Sequence, residues 1–190
     1  NMAGALDIFV AYKFIKILTT PYKKTKAYEL GIIGDKGQIL KKRKDLKSGE
    51  KQHYTAVHGL IWNLKKKILD KLPPTRTRLG SFATGLWLLK EELNMTDSNL
   101  IEDTFLEHIG EERVTLNEMF SNATSKNIKK GDYIIKEGCI PAYDFVKPGD
   151  LININNTRSI ANVLGTPIYE GTHKLTNERV VIADEELLRI

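Results

Sequence analysis

The chain has a single cysteine, Cys139, among its 190 residues. One thiol forms no internal disulfide and supplies too few ligands for a zinc finger, so the fold depends on packing and suits a reducing compartment. Long hydrophobic runs are also missing, because the most apolar N-terminal stretch, residues 6–18, is interrupted by Asp7, Lys13 and Lys16. This stretch is neither a membrane span nor the core of a signal peptide. We therefore expect a soluble chain with no membrane partner.

Motifs for catalysis, metal binding and cofactor binding are missing as well. The four histidines are scattered without the spacing of metal ligands. Three glycines between residues 31 and 37 precede Gln38-Ile39-Leu40, a strand pattern, where a P-loop needs Lys followed by Ser or Thr. We expect no catalytic residue, no metal and no cofactor. The chain can be an enzyme only if folding brings together catalytic residues that are distant in sequence.

What the chain does have is an uneven distribution of charge. Residues 1–93 contain 19 Lys and Arg against 8 Asp and Glu, whereas residues 94–190 contain 10 against 16. The apolar share of 41% and the charged share of 28% are typical of a globular protein. The asymmetry indicates either a polyanionic partner for the first half or contact between the two halves.

Apolar residues at spacings of three and four predict helices in the first part of the chain. The predicted helices cover residues 6–19, 22–30, 52–72, 76–93 and 101–109. Their predicted ends are marked by Pro21, Gly31, Pro73-Pro74 and Gly110. Between the second and third helices, residues 32–40 predict a short β-hairpin and residues 41–49 an exposed loop.

After about residue 120 the pattern changes to short β-rich runs separated by turn residues. The runs lie at residues 133–135, 151–154, 168–173 and 180–182. Turn signals at this spacing are typical of a small antiparallel barrel. The predicted fold class is α+β: an N-terminal helical domain with a short β-hairpin, residues 1–110, and a small, mildly acidic, SH3-like antiparallel β-barrel domain, residues 111–190. Residues 121–130 are the predicted linker.

The basic residues of the first half are the candidate binding residues for nucleic acid or another polyanion. Cations on a loop and on a helix face, interleaved with tyrosine and tryptophan, suit phosphate contacts and base stacking. The alternative is a solvated face whose aromatic residues belong to the core. The candidates are Lys23, Lys24, Lys26, Lys41, Lys42, Arg43, Lys44, Lys65, Lys66, Lys67, Arg76 and Arg78.

Trp62 is the candidate interface residue. On the predicted helix 52–72, Leu64 lies near the centre of the apolar stripe, and Trp62 lies about 160° away around the axis. We therefore expect Leu64 to be buried and Trp62 to be exposed or at an interface.

Residues 12–93 contain four runs that resemble a known group of proteins. The runs are KILTTP, KAYELGIIGDKGQILKK, YTAVHGLIWNLKKKILDKLP and RLGSFATGLWLLKEEL. They resemble small proteins of tailed bacteriophages, including T4-like myoviruses, of the prohead core or head morphogenesis kind. The chain differs from that group at Gly34, where the group's turn has Asp. The resemblance implies a virion or assembly role without enzymatic activity.

The leading hypothesis is therefore a non-enzymatic phage structural or head-assembly protein. Its basic domain contacts an acidic scaffold, the capsid interior or DNA, its partners are other phage structural proteins, and its location is the virion or the host cytoplasm. An oligomer is compatible with this hypothesis. The alternative is a non-specific nucleic-acid-binding module of phage replication or transcription, whose β domain docks a protein partner.

Overall fold

The computed structural model describes residues 4–69, 76–109 and 127–190. Helices come first and a sheet of six strands follows, which confirms the α+β class. The predicted helix ends at Pro73-Pro74 and Gly110, the boundary between residues 110 and 111, and most of the predicted linker lie outside the described residues. In the described part, no helix has the length and apolar character needed to cross a membrane.

The helices largely follow the apolar periodicity. They are α1 (Ala5–Thr19), α2 (Lys26–Glu29), α3 (Ala56–Leu69), α4 (Arg76–Glu92) and α5 (Leu100–Ile109). α3 begins four residues later than predicted, because residues 51–53 form a 3-10 turn and Thr55 caps the helix. The Thr55 hydroxyl oxygen accepts from the His58 amide at 3.4 Å, and His58 Nδ1 accepts from the Thr55 amide at 3.3 Å. This reciprocal pair is a capping box with histidine as its third residue.

The segment between α1 and α3 consists mostly of turns. The predicted hairpin is reduced to a single antiparallel bridge between Ile33 and Ile39. Gly31 ends α2 with a φ of 72°, which confirms the predicted left-handed cap. Gly37 also has a positive φ, 77°, and a Cβ there would lie 2.6 Å from the ring of Tyr22. Glycine at this position therefore lets the turn pack directly on that ring.

All strand pairings in the sheet are antiparallel. The strands are β1 (Gly131–Ile135), β2 (Leu151–Ile154), β3 (Ala161–Val163), β4 (Thr166–His173), β5 (Glu178–Ala183) and β6 (Leu187–Arg189). β3 and β6, of three residues each, are the two strands that the sequence pattern does not predict. The strand order is β3-β4-β2-β1-β6, with β5 also paired to β4.

β4 organises the sheet, because its two edges serve three other strands. One edge pairs with β5 along its length, and the other pairs with β3 near Ile168 and with β2 near His173. At Gly171 a Cβ would lie 2.8 Å from the carbonyl oxygen of Asn153, so a side chain there would push β2 away. The described pairings leave the sheet open, and the closed barrel expected from the turn spacing is not formed by them.

One apolar cluster, the shared core, contains residues of both the helical part and the sheet. α3, α4 and α5 contribute Leu64, Leu86 and Phe105, which are fully buried. The sheet part contributes Val163, Leu164, Ile168, Val181 and Ala183. A buried polar contact lies beside this cluster. Thr84 Oγ1 donates to Glu186 Oε1 at 2.6 Å and accepts from the Ala183 amide at 2.8 Å, which ties α4 to the turn between β5 and β6.

The shared core predicts how the separated halves behave. Produced alone, residues 1–110 would expose the helical side of this cluster, and residues 111–190 would expose the sheet side. Because an interior loses stability when apolar area is returned to water, we expect neither fragment to unfold cooperatively on its own. The measurement is thermal unfolding followed by circular dichroism. Cooperative unfolding of each isolated fragment would instead support two independent domains divided at residues 110 and 111.

Candidate functional site

Residues 22–54, called here the basic segment, form a strongly basic surface. The segment contains ten Lys or Arg and four Asp or Glu. Beneath it lies an apolar cluster, the segment core, which fixes the turns by packing. Its buried members are Tyr22, Ala27, Ile32, Ile33, Leu46, Tyr54 and Trp62. Tyr22 and Tyr54 are thus used for packing, Tyr28 is exposed, and most of the charged side chains lie at the surface.

The structure exposes six of the predicted binding residues on the basic segment. They are Lys23, Lys24, Lys26, Lys42, Arg43 and Lys44. Lys41 is half-buried, because its Nζ donates to the carbonyl oxygen of Leu30 at 3.1 Å and pairs with Glu50 at 3.5 Å. It acts as a brace between α2 and the loop. Lys26 is paired with exposed Glu29 at 3.0 Å, and the other exposed lysines and Arg43 remain available for an anionic partner.

Two of the three predicted lysines on α3 are buried, which corrects their assignment as surface ligands. Lys65 is 8% exposed, donates from Nζ to the carbonyl oxygen of Thr20, and lies over the ring of Tyr22. Lys67 is 3% exposed, and burial lowers its pKa to about 8, although nearby Glu186 acts in the opposite direction. The basic segment covers one side of α3, and α1 and α4 pack against other sides, so the flanking positions of the stripe do not reach solvent.

The remaining predicted binding residues are Lys66 on α3 and Arg76 and Arg78 on α4. Lys66 is half-buried, and burial lowers its pKa. Arg76 and Arg78 lie in the first part of α4, but their side chains fall outside the described part of the structure.

The expectation that Trp62 is exposed is wrong. Its side chain is 2% exposed, and its ring centroid lies 5.3 Å from that of Tyr54 and 5.5 Å from that of His58. Leu64 is fully buried in the shared core, as predicted. α3 is therefore covered on two sides, by the shared core and by the segment core, and a single apolar stripe describes only one of them.

A cavity of about 400 Å³ lies where the basic segment meets the loop before β2. The Tyr54 hydroxyl donates to Asp144 Oδ2 at 3.0 Å, and Arg43 lies 5.8 Å from the Tyr54 ring. Burial raises the pKa of Tyr54, and the Asp144 charge raises it further. The lining also contains Glu91 and Arg179, whose side chains approach to 3.8 Å. Charges of both signs in this lining favour no particular class of ligand.

A smaller cavity of about 180 Å³ lies between α1, α2 and the start of α3. Four of its lining residues carry amine or imidazole side chains: Lys16, Lys26, His53 and His58. The sequence analysis did not select Lys16 or either histidine. They are distant in sequence from one another or badly spaced for one helical face, so no local pattern indicates that they meet.

The buried imidazole of His173 joins Asp150 to Thr176 through hydrogen bonds that sequence reasoning also missed. Its Nε2 lies 2.8 Å from Asp150 Oδ2 and its Nδ1 lies 2.7 Å from Thr176 Oγ1. Partial burial raises the pKa of Asp150, but its hydrogen bonds with His173 and the Lys147 amide lower it by more, so the net pKa is below its usual value. His173 is fully buried, so a substrate has no access to the imidazole. These hydrogen bonds therefore join the turn before β2, which contains Asp150, to the turn between β4 and β5, which contains Thr176.

No constellation for chemistry stands out in the described residues. Across residues 4–69, 76–109 and 127–190, no group of three His, Cys, Asp or Glu side chains is arranged to hold a metal ion. Comparisons of the chain with family models, with curated proteins and with solved structures gave no match. The charge and shape of the surface are therefore the features that bear on function.

Proposed function

We propose that the chain is a non-enzymatic binding and assembly protein whose basic segment contacts a polyanion. The observation that carries this proposal is the exposure of Lys23, Lys24, Lys26, Lys42, Arg43 and Lys44 over a rigid apolar support. Cations held at a surface attract phosphate or carboxylate groups without reading a base sequence. DNA, an acidic scaffold protein and the interior of a capsid all present such groups.

The assembly context of this proposal depends on the resemblance of residues 12–93 to prohead core and head morphogenesis proteins of tailed phages. In that context the partners are other phage structural proteins, and the chain acts in the virion or in the host cytoplasm. The four runs that carry the resemblance contain part of the basic segment, α3 and most of α4. Two of the six exposed cations, Lys26 and Lys42, lie within these runs, and the other four lie between them.

For the sheet we propose an SH3-like arrangement that is partly open. β5 and β6 are consecutive along the chain, with only the 3-10 turn Asp184–Glu186 between them. β5 pairs with β4, whereas β6 pairs with β1, which is two strands away from β4 in the order of the sheet. A short connection between strands that pair so far apart supports strong curvature of the sheet. In this proposal the curved sheet offers a docking face for a protein partner.

The test of polyanion binding is its dependence on salt. We expect the full chain to bind duplex DNA at low salt without sequence preference and to release it as salt rises. Each phosphate that is neutralised contributes about 0.7 to 0.9 to the slope of log affinity against log salt. Alanine in place of four exposed lysines of the basic segment should reduce that slope by about 3. The four are Lys23, Lys24, Lys42 and Lys44.

The matched control removes the same number of exposed lysines from the other end of the chain. These are Lys129, Lys130, Lys147 and Lys174. Their replacement by alanine should leave the salt slope unchanged. An equal loss in both variants would mean that net charge acts without a localised surface, and DNA binding that is absent at low salt would leave only an acidic protein as the partner. Affinity purification from infected cells then separates capsid and scaffold partners from replication or transcription partners.

A further inference from the structure

The smaller cavity beside the basic segment has a lining of unusual charge. None of the nine described residues that line it is acidic. Lys16 enters from α1, Lys26 from α2, His53 from the 3-10 turn and His58 from α3. The hydroxyl-bearing residues Thr20 and Thr25 also lie in the wall, and Ile17, Ala27 and Trp62 complete it with apolar surface.

We propose that this cavity binds a phosphate group. One source of that group is a polynucleotide lying on the basic segment, and for this source the proposal rests on the proposed function and deepens it. The other source is free phosphate. Ammonium and imidazole N–H groups are donors to phosphate oxygens, whereas the Thr20 and Thr25 hydroxyls each donate at 2.6 Å to a backbone carbonyl, those of Lys16 and Tyr22. The cavity volume of about 180 Å³ is several times the roughly 30 Å³ of one liquid water, so a tetrahedral oxyanion fits.

The protonation of His58 connects this site to pH. His58 Nδ1 accepts the Thr55 amide hydrogen at 3.3 Å, so the proton of the neutral ring is on Nε2. Burial lowers the pKa of His58, and the charge of neighbouring His53 lowers it further. The other charged groups of the site are Lys16 and Lys26, and Lys26 is paired with exposed Glu29 at 3.0 Å.

A bound anion would offset this accumulation of positive charge. It stabilises the protonated form of the imidazoles. Binding then takes up protons, so affinity for an anion of constant charge must increase as pH falls through the histidine range. The same linkage means that removal of both imidazoles removes most of the pH dependence.

The experiment measures sulfate binding to the full chain by calorimetry between about pH 8 and about pH 5, the range in which histidine changes charge. Sulfate is the probe because its own charge stays constant there. We expect tighter binding at the acidic end. The variant His53→Gln/His58→Gln should bind about ten-fold more weakly or worse at that end, since a hydrogen bond to a charged group contributes at least this much. Glutamine retains the capping box with Thr55, so α3 keeps its N-terminal cap.

Two further variants keep the result decisive. Lys16→Met removes a cation of the cavity without changing the histidines or the cap, and should also weaken sulfate binding. His108→Gln removes an exposed histidine on α5, outside the cavity, and should change nothing. If Lys16→Met and the folded histidine variant bind sulfate as the unmodified chain does, or if His108→Gln weakens binding equally, the inference is overturned.

A second arm identifies the source of the phosphate. Weaker binding of both duplex DNA and inorganic phosphate by the histidine variant means that the cavity receives a phosphate of the polymer. Weaker binding of inorganic phosphate alone means that it receives the free ion. DNA binding that depends on the lysines of the basic segment, with no histidine dependence for either probe, overturns this inference and leaves the proposed function standing. Sulfate binding without any DNA binding supports the cavity as a site for the free ion and excludes DNA as the partner of the basic segment.

Discussion

Replacing Trp62 by alanine is expected to lower the free energy of unfolding by about 3 to 5 kcal/mol, the usual cost of removing a large buried aromatic side chain. Trp62 is 2% exposed and packs against Tyr54 and His58. Its loss would open a cavity between α3 and the basic segment. The measurement is chemical denaturation of the full chain, monitored by far-UV circular dichroism.

The matched control for this prediction is Tyr12→Ala. Tyr12 is an aromatic residue on α1 with 62% of its surface exposed, so its replacement should change the free energy of unfolding by no more than about 0.5 kcal/mol. Equal effects of the two substitutions would contradict the burial of Trp62. A stable Trp62→Ala variant that fails to bind a partner would restore the interface role that the helical stripe first indicated.

Replacing Lys90 by methionine is expected to destabilise the chain by about 3 to 5 kcal/mol, because one charge of a buried pair is left without its partner. Lys90 Nζ lies 2.7 Å from Glu102 Oε1, with side chains 5% and 3% exposed. The pair joins α4 to α5 next to the shared core. Chemical denaturation near neutral pH measures the effect.

Removing both charges separates the contribution of the ion pair from that of packing. The double variant Lys90→Met/Glu102→Leu replaces the pair with apolar side chains, and such replacements are often neutral or stabilising by about 1 to 4 kcal/mol. We therefore expect the double variant to recover most of the stability lost in Lys90→Met. A double variant as unstable as the single one would show that side-chain packing, and not the uncompensated carboxylate, sets the cost.

The helices and the longer strands were predictable because each is defined by a period within its own residues. Apolar residues at spacings of three and four place α1, α4 and α5 within one residue of their observed starts. The start of α3 was harder to predict, because its cap is a reciprocal contact of Thr55 with His58 and residues 51–53 adopt a tighter turn. Periodicity alone does not distinguish a 3-10 turn from the first turn of an α-helix.

The sheet shows the limit of the same reasoning. β3 and β6 have three residues each, which is too short for an alternating pattern to identify. They exist because Ala161 pairs with Ile168 of β4 and Leu187 pairs with Ile135 of β1. The first partner is close in sequence and the second is far away, so no local pattern indicates either pairing. Closure of the strands into a barrel is likewise a property of pairing between strands, so turn spacing did not determine it.

The candidate site was predictable as a region and not as a set of side chains. Composition alone identified the basic segment, and six of the seven binding residues predicted on it are exposed. Composition did not reveal that Lys65 and Lys67 are buried, nor that Lys16, His53 and His58 line one cavity. These facts depend on which elements cover α3, and some of them are distant in sequence. Glu186, whose charge acts on Lys67, follows it by 119 residues.

The sequence by itself determined the class of fold, the succession of a helical part and a β-rich part, the surface position of most charges and the lack of an evident catalytic motif. Those properties follow from local periodicity and from composition, which each segment carries within itself. Only the tertiary structure decided that α3 is covered on two sides, that both ends of the chain share one core, and that Asp150 meets His173 across 23 residues. Such contacts form because burial of apolar area and pairing of buried polar groups act between segments, whatever their separation in sequence.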